Sequence, residues 1–263
     1  MDLHALETYR CPRQLSEVTA WDPTTHWLAG GTWLFSQPQP LIKVLVDLQH
    51  LGWSGIEVMG EEVWIGATCP LANLLTYPWP PEWIGVSALQ AAVRSLASFK
   101  VTRLATVGGN LCLALTVGSL APVMIAWQAR YQILHPNGNS RWIPALSFQT
   151  GSQQTLLAPG EVLRRVAIPI TSLSCPSQFL RISLAATDPA VVMVVGCATA
   201  ETWRFGMNAG VAVPQSIEIS EPVRHWDPLL DPLPWLEDFR ASAAYRRHLT
   251  QMLLQQCLDS RPS

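Results

Sequence analysis

Two short stretches carry the residue types best suited to holding a ligand: "AGGTWL", Ala29–Leu34, and "TVGGN", Thr106–Asn110. A glycine pair lets the backbone turn tightly and bring bare N–H groups close to a bound group. Thr32 and Thr106 add hydroxyls, and Asn110 adds an amide that can both donate and accept. Two such turns facing each other form an anion nest suited to a pyrophosphate. Taken singly, each Gly-Gly also reads as a turn that merely ends a strand. Neither G-x-x-x-x-G-K-[ST] nor a G-x-G-x-x-G following a strand occurs, so any phosphate is held without the common loops.

Other chemistry finds little support. The six cysteines, at 11, 69, 112, 175, 197 and 257, are never closer than 22 residues, which excludes local zinc and iron–sulfur motifs. They read as reduced, mostly buried thiols of a cytoplasmic protein. The histidines form no pairs at ligand spacing, so neither a metal site nor an acid–base catalytic residue is assigned. A formal net charge of −2 without any basic run argues against nucleic acid and anionic membranes. "MDLHALETYR" lacks a signal core, and no apolar run is long enough to span a bilayer.

The elements that must position the two loops read as α+β, in two regions meeting near residue 160. "HWLAG" is a strand entering the first loop, and "LIKVLVDLQHL" follows it. "IEVMGEEVWIGA" alternates around Gly60-Glu61 as a hairpin, and "LANLL" is a short helix. An amphipathic helix capped by Ser87 runs to about Lys100 and leads into the second loop. A helix from about Ser119, a strand through Ile133 and a "PNGN" turn close the first region. "LAPGEVLRRVAIP" carries the chain across, and "VVMVVGCATA" is the most strand-like piece beyond. The last helix places Ala244, His248, Met252 and Leu253 on one face, with Arg246, Arg247 and Gln251 on the other. Several of the twelve tryptophans lie beside prolines or charges, which suits loop surface or a protein interface better than a core.

The order of these features resembles the FAD-binding (medium) subunit of the molybdenum hydroxylases, the family of carbon monoxide dehydrogenase and xanthine dehydrogenase. "AGGTWL" and "TVGGN" match its two loops, and "VWIGATCPLANL", "PGEVLRRVAIP" and "FRASAAYRRHL" follow in the family's order, from about residue 5 to residue 258. The resemblance implies a PCMH-type FAD-binding domain of two small α/β subdomains over residues 1–160. A C-terminal domain of the CO-dehydrogenase-flavoprotein type, with a three-stranded antiparallel sheet and helices, would follow over 161–263. It implies that Ala29, Gly30, Gly31, Thr32, Trp33 and Leu34 contact the FAD pyrophosphate, flanked by Thr106, Gly108, Gly109 and Asn110. The implied role is an oxidoreductase subunit passing electrons from 2Fe-2S clusters of a small iron–sulfur partner through FAD to NAD or another acceptor. Hydroxylation chemistry would belong to a large partner carrying the molybdenum cofactor.

The chain departs from the family pattern at two places. Where the family places an Asp after the second loop, this sequence has Ser119. Where it places a Lys, an Arg pair and an Asp, this sequence has Arg181 in place of the Lys, keeps the acid as Asp188 and has Leu184–Ala185 for the pair. Ser119, Arg181 and Asp188 are therefore expected as the remaining cofactor contacts. The departures also admit a scaffold subunit that keeps the fold and binds FAD weakly or not at all. A stand-alone flavin oxidase would need a base or covalent anchor beside the first loop, where only His26 is near.

Overall fold

A computed structural model describes residues 3–96, 99–186, 188–221, 223 and 225–260. The chain begins with a small parallel sheet of β1 (Thr8–Arg10), β2 (Thr25–Leu28) and β3 (Val44–Asp47), with β3 in the middle. Thr25 and Thr8 both register with Val44, so β2 delivers the first glycine loop at a fixed height beside β3.

A five-stranded antiparallel sheet follows, in the order β4 (Ile56–Met59), β5 (Glu62–Gly66), β10 (Val162–Pro169), β6 (Arg130–Leu134) and β7 (Ser140–Pro144). The β4–β5 hairpin turns at Gly60, whose φ of 61° is the left-handed conformation a turn needs. Inward residues alternate along the strands: Val63 and Ile65, Tyr131 and Ile133, Val166 and Ile168 are all buried in one core. α1 (Leu71–Thr76), α2 (Val86–Arg94), α4 (Val107–Leu113) and α5 (Leu120–Ala126) contribute the other side of that core. α3 (Phe99–Leu104) precedes the second glycine loop, and the short hairpin of β8 (Gln149–Gly151) and β9 (Gln154–Thr155) follows α6 (Ala145–Phe148).

The run expected to leave the first region is its central strand. β10 pairs with β5 on one side and β6 on the other, so the sheet draws on chain beyond residue 160. Only after α7 (Ile170–Leu173) does the chain enter the second sheet, an antiparallel meander of β11 (Ser177–Ser183), β12 (Ala190–Ala198), β13 (Trp203–Asn208) and β14 (Gln215–Ile219). It has four strands where three were expected. The fourth is the short alternating "QSIEI", held because Ile217 and Ile219 are buried in the core of the second lobe. All nine residues of β12 are buried, since α9 (Ala243–Asp259) covers one face of the sheet and α5 the other. At Gly206 the sheet meets α5 so closely that a Cβ would lie 2.0 Å from the Pro122 carbonyl oxygen. α8 (Asp227–Leu230) caps the α9 side through Leu230.

Three local expectations are corrected. α2 stops at Arg94 rather than running to Lys100, and Gly85 precedes it, while the Ser87 hydroxyl donates to the Ile84 carbonyl; residues 97 and 98 lie outside the described residues. On α9 the buried stripe is Arg246, Leu249, Thr250, Leu253, Leu254 and Cys257, so Ala244, His248 and Met252 face outward. The tryptophans are mostly interior or half-buried: Trp53, Trp83, Trp127 and Trp226 are buried, and among the described residues only Trp142 is exposed.

Arg246 shows why charge misled the pattern. It is fully buried, yet Nη1 donates to the carbonyls of Val191 (2.6 Å) and Ala209 (2.8 Å), and Nη2 to Asp238 Oδ1 (2.5 Å). Burial alone would raise the Asp238 carboxyl, but hydrogen bonds from Arg240 and Arg246 hold it down to about 2. A carboxyl depressed in the folded state adds stability above its unfolded pKa of about 3.9 and loses that increment as pH falls through the folded value. Acid titration of the thermal midpoint should therefore show a loss between about pH 4 and pH 2 that Asp238→Asn abolishes. An unchanged acid limb in the variant would contradict this assignment.

Candidate functional site

β2 ends at Leu28, where the Leu48 N–H bonds the Leu28 carbonyl and the strand gives way to the first loop. Gly31 sits at φ 68°, and a Cβ there would strike the Phe35 ring at 2.5 Å. At Gly30 a Cβ would lie 1.8 Å from the Leu104 carbonyl oxygen, so this loop rests backbone to backbone on the end of α3. Only glycine permits that approach. Among the described residues, the backbone amides from Ala29 to Leu34 donate to no protein acceptor.

The second loop is fixed from the other side. The Val107 and Gly108 amides donate to the carbonyls of Cys69 and Ala67, at 3.0 and 2.8 Å. Thr106 caps α4 by accepting the Gly109 N–H at 3.0 Å, so its hydroxyl oxygen serves the helix. Gly108 packs so tightly on Ala67 that a Cβ would fall 2.7 Å from the Ala67 Cβ. A Cβ on Gly109 would point across to the first loop, 3.9 Å from the Ala29 Cβ. The two glycine pairs therefore face each other.

Between them opens a cleft of about 760 Å³. Ala29, Gly30, Gly31, Thr32, Trp33, Leu34, Thr106, Gly108, Gly109 and Asn110 all line it, so ten of the thirteen expected contacts share one cavity. The remaining three lie elsewhere. Ser119 is buried with its hydroxyl donating to the Ala92 carbonyl at 2.9 Å, which ties α5 to α2. Arg181 donates to the backbone carbonyls of Ser95 (2.8 Å) and Asp188 (2.5 Å) and so joins the second lobe to the end of α2.

The lining contains no Lys or Arg. Its one carboxylate, Glu161, is held below the usual range, first by hydrogen bonds from Arg141 at 2.8 and 2.6 Å and then by the Ala158 amide. An anion here would be held by peptide N–H groups rather than by cations. Cys112 also lines the cleft, but burial pushes its thiol up to about 12, so at neutral pH it is protonated, apolar lining. The side-chain oxygen of Asn110 is buried with no hydrogen-bond donor among the described residues. Such an atom is costly unless a ligand supplies the donor. The walls that sequence reasoning missed are Trp21, Trp27, Val117 and residues 157–163, the last brought in by long-range packing; the "PG" turn, with Gly160 at φ 81°, left a local sign.

Glycine loops seated against each other, amides without protein acceptors and an unpaired amide oxygen are groups that could hold a phosphate-bearing cofactor. The sequence identifies which. Residues 6–171 match the family described as the FAD binding domain in molybdopterin dehydrogenase, and the chain belongs to that family. It is 31% identical over 147 residues to xanthine dehydrogenase of Oryza sativa subsp. japonica, a match covering 53% of this chain. The chain spans only 10% of the length of that rice protein. It is 26% identical over 273 residues to the xanthine dehydrogenase FAD-binding subunit of Escherichia coli O157:H7, covering 90% of this chain and 89% of that one. Its fold is that of a chain in carbon monoxide dehydrogenase from Hydrogenophaga pseudoflava, with a TM-score of 0.85, 20% identity, and coverage of 97% and 96%. FAD fits the residues present, since the unpaired Asn110 oxygen and the acceptor-free amides of the first loop are what its hydroxyls and pyrophosphate require.

Gly30→Ala must push one loop off the other, and a displacement of packed backbone costs about 1–3 kcal/mol. Urea unfolding should show that loss. Thr106→Val should cost about 1 kcal/mol by removing the cap, while Thr106→Ser should stay near wild type. Wild-type stability in both Gly30→Ala and Thr106→Val would contradict the loop contacts.

Proposed function

We propose that the chain is the electron-transfer flavoprotein subunit of a molybdenum hydroxylase-type complex. Bound FAD supplies the one- and two-electron chemistry linking iron–sulfur clusters of a small partner, fed from a molybdenum cofactor in a large partner, to NAD or another acceptor. The observation that carries the reading is the facing of Gly109 and Ala29 across a cleft whose first-loop amides lack protein acceptors.

In this reading the amides of Ala29 to Leu34 donate to the pyrophosphate from one side, and Gly108 to Asn110 flank it from the other. The Asn110 oxygen accepts a hydroxyl of the cofactor and so gains the donor it lacks. Leu96, Val101, Leu113 and Leu115 exclude water from the cavity, which strengthens each polar contact inside it. Arg181 acts at one remove, by fixing the backbone at Ser95 beside that apolar wall. The similarity to the carbon monoxide dehydrogenase medium chain of Hydrogenophaga pseudoflava, 28% identical over 174 residues, supports a role beside other subunits. Among the described residues no helix is long and apolar enough to cross a membrane, and no His/Cys/Asp/Glu cluster could hold a metal.

The full chain, purified and desalted after exposure to FAD, should keep flavin absorbance bands near about 370 and 450 nm, the chromophore's own. Asn110→Leu should weaken FAD binding about tenfold, the worth of a lost hydrogen bond in a dry site. A chain that stays colourless with excess FAD would favour the scaffold role instead.

A further inference from the structure

A second polar cluster lies outside the cleft, in the second lobe. The strand register sets Ser177, Cys197, Arg204 and Glu218 side by side across β11, β12, β13 and β14. Residues directly opposite one another share a face of the sheet. None of the four lines the cleft. Arg204 is the unusual member of the row. It is nine-tenths buried, and its Nε has no acceptor among the described residues. Glu218 stands opposite it but accepts from the Thr202 hydroxyl at 3.2 Å. The guanidinium reaches the other way, with Nη2 3.5 Å from Ser172 Oγ and 4.0 Å from Cys197 Sγ. A buried guanidinium is costly without an anionic partner, and the group beside it that can take up negative charge is the Cys197 sulfur.

Cys197 has a second thiol for a neighbour. Its side chain meets those of Cys175 and Ser177, and the Ala198 N–H bonds the Pro176 carbonyl at 2.9 Å, which holds the two cysteine-bearing segments together. The thiols differ in access: Cys197 is fully buried, whereas Cys175 is half-exposed, and both are free. Burial holds the Cys197 thiol above its ordinary value, while Ser177 and Arg204 pull it down. At rest it is therefore protonated and out of reach of an oxidant.

We infer that Cys175 and Cys197 form a reversible thiol–disulfide pair oxidised by a peroxide, with Arg204 as the positioning residue for the attacking sulfur. Cys175, the accessible thiol, gives two electrons to hydrogen peroxide. The O–O bond breaks, one oxygen stays on sulfur as the sulfenic acid, and the other leaves as water. Cys197 Sγ then attacks the Cys175 sulfur: the S–S bond forms, the S–O bond breaks, and the departing hydroxide takes the Cys197 proton to give a second water. Arg204 stabilises the negative charge that develops on Cys197 Sγ as that proton leaves. The cross-link ties the segment between α7 and β11, where the chain enters the second lobe, to β12. It draws on no residue of the cleft, so it stands or falls apart from FAD binding.

The purified full chain, treated with a small excess of hydrogen peroxide, alkylated and digested without reduction, tests this assignment by peptide mass. A Cys175–Cys197 peptide pair, lost on adding dithiothreitol, is expected. Cys197→Ser should stop at the sulfenic acid, so that dimedone labels Cys175. Arg204→Gln should slow cross-linking about tenfold and raise dimedone capture at Cys175, whereas Arg204→Lys should restore most of the rate. Wild-type chain whose exposed Cys11 is oxidised while Cys175 and Cys197 stay unlinked overturns the assignment, and so does either cysteine joined to a different partner. Equal cross-linking rates in wild type and Arg204→Gln overturn the role of the guanidinium. The wild-type peptide map decides the pairing even where a variant fails to fold.

Discussion

The arrangement of the first lobe depends on one close approach, that of Gly30 to the carbonyl of Leu104. No side chain fits between them, since a Cβ would sit 1.8 Å from that oxygen. The contact fixes the end of β2 against the end of α3, and α4 starts only three residues beyond Leu104. Both glycine pairs are thereby set on either side of one gap, whose width follows from backbone packing rather than from flexible side chains. A ligand bound there meets peptide dipoles already in place, so little reorganisation is needed on binding.

The second lobe serves this arrangement by bracing it. α5 is shared: it packs on β13 through the Gly206 contact and lies in the core of the first lobe through Leu120, Val123 and Met124. Ser119 at its start ties α5 to α2, and Arg181 ties β11 to the backbone just after α2. Ser119 and Arg181, both named among the expected cofactor contacts, make these hydrogen bonds within the protein frame. The neutral Ser119 suits that position, since a carboxylate buried against the Ala92 carbonyl would lack a donor.

What the sequence disclosed, and what it hid, divides along physical lines. The Gly60 hairpin and the turn at Gly31 were legible because a positive φ favours glycine locally. The ten residues that line the cleft had been singled out by the two glycine loops together with the order of the motifs around them. The face of α9 was not legible, because Arg246 counts as polar in any periodicity although Asp238 and two carbonyls let it be buried. β10 was misplaced because its pairing with β5 and β6 joins segments far apart in sequence. For the same reason the wall at Trp27 was hidden: its indole N–H meets the Glu161 carbonyl, 134 residues away.

The central claim is that the two glycine loops hold a pyrophosphate between them. A crystal structure of the full chain grown with FAD tests it most directly. The account expects the diphosphate oxygens within hydrogen-bond distance of amides between Ala29 and Leu34, with Asn110 bonded to a cofactor hydroxyl. FAD bound outside this cleft, or bound in it with its diphosphate away from both loops, would contradict the account.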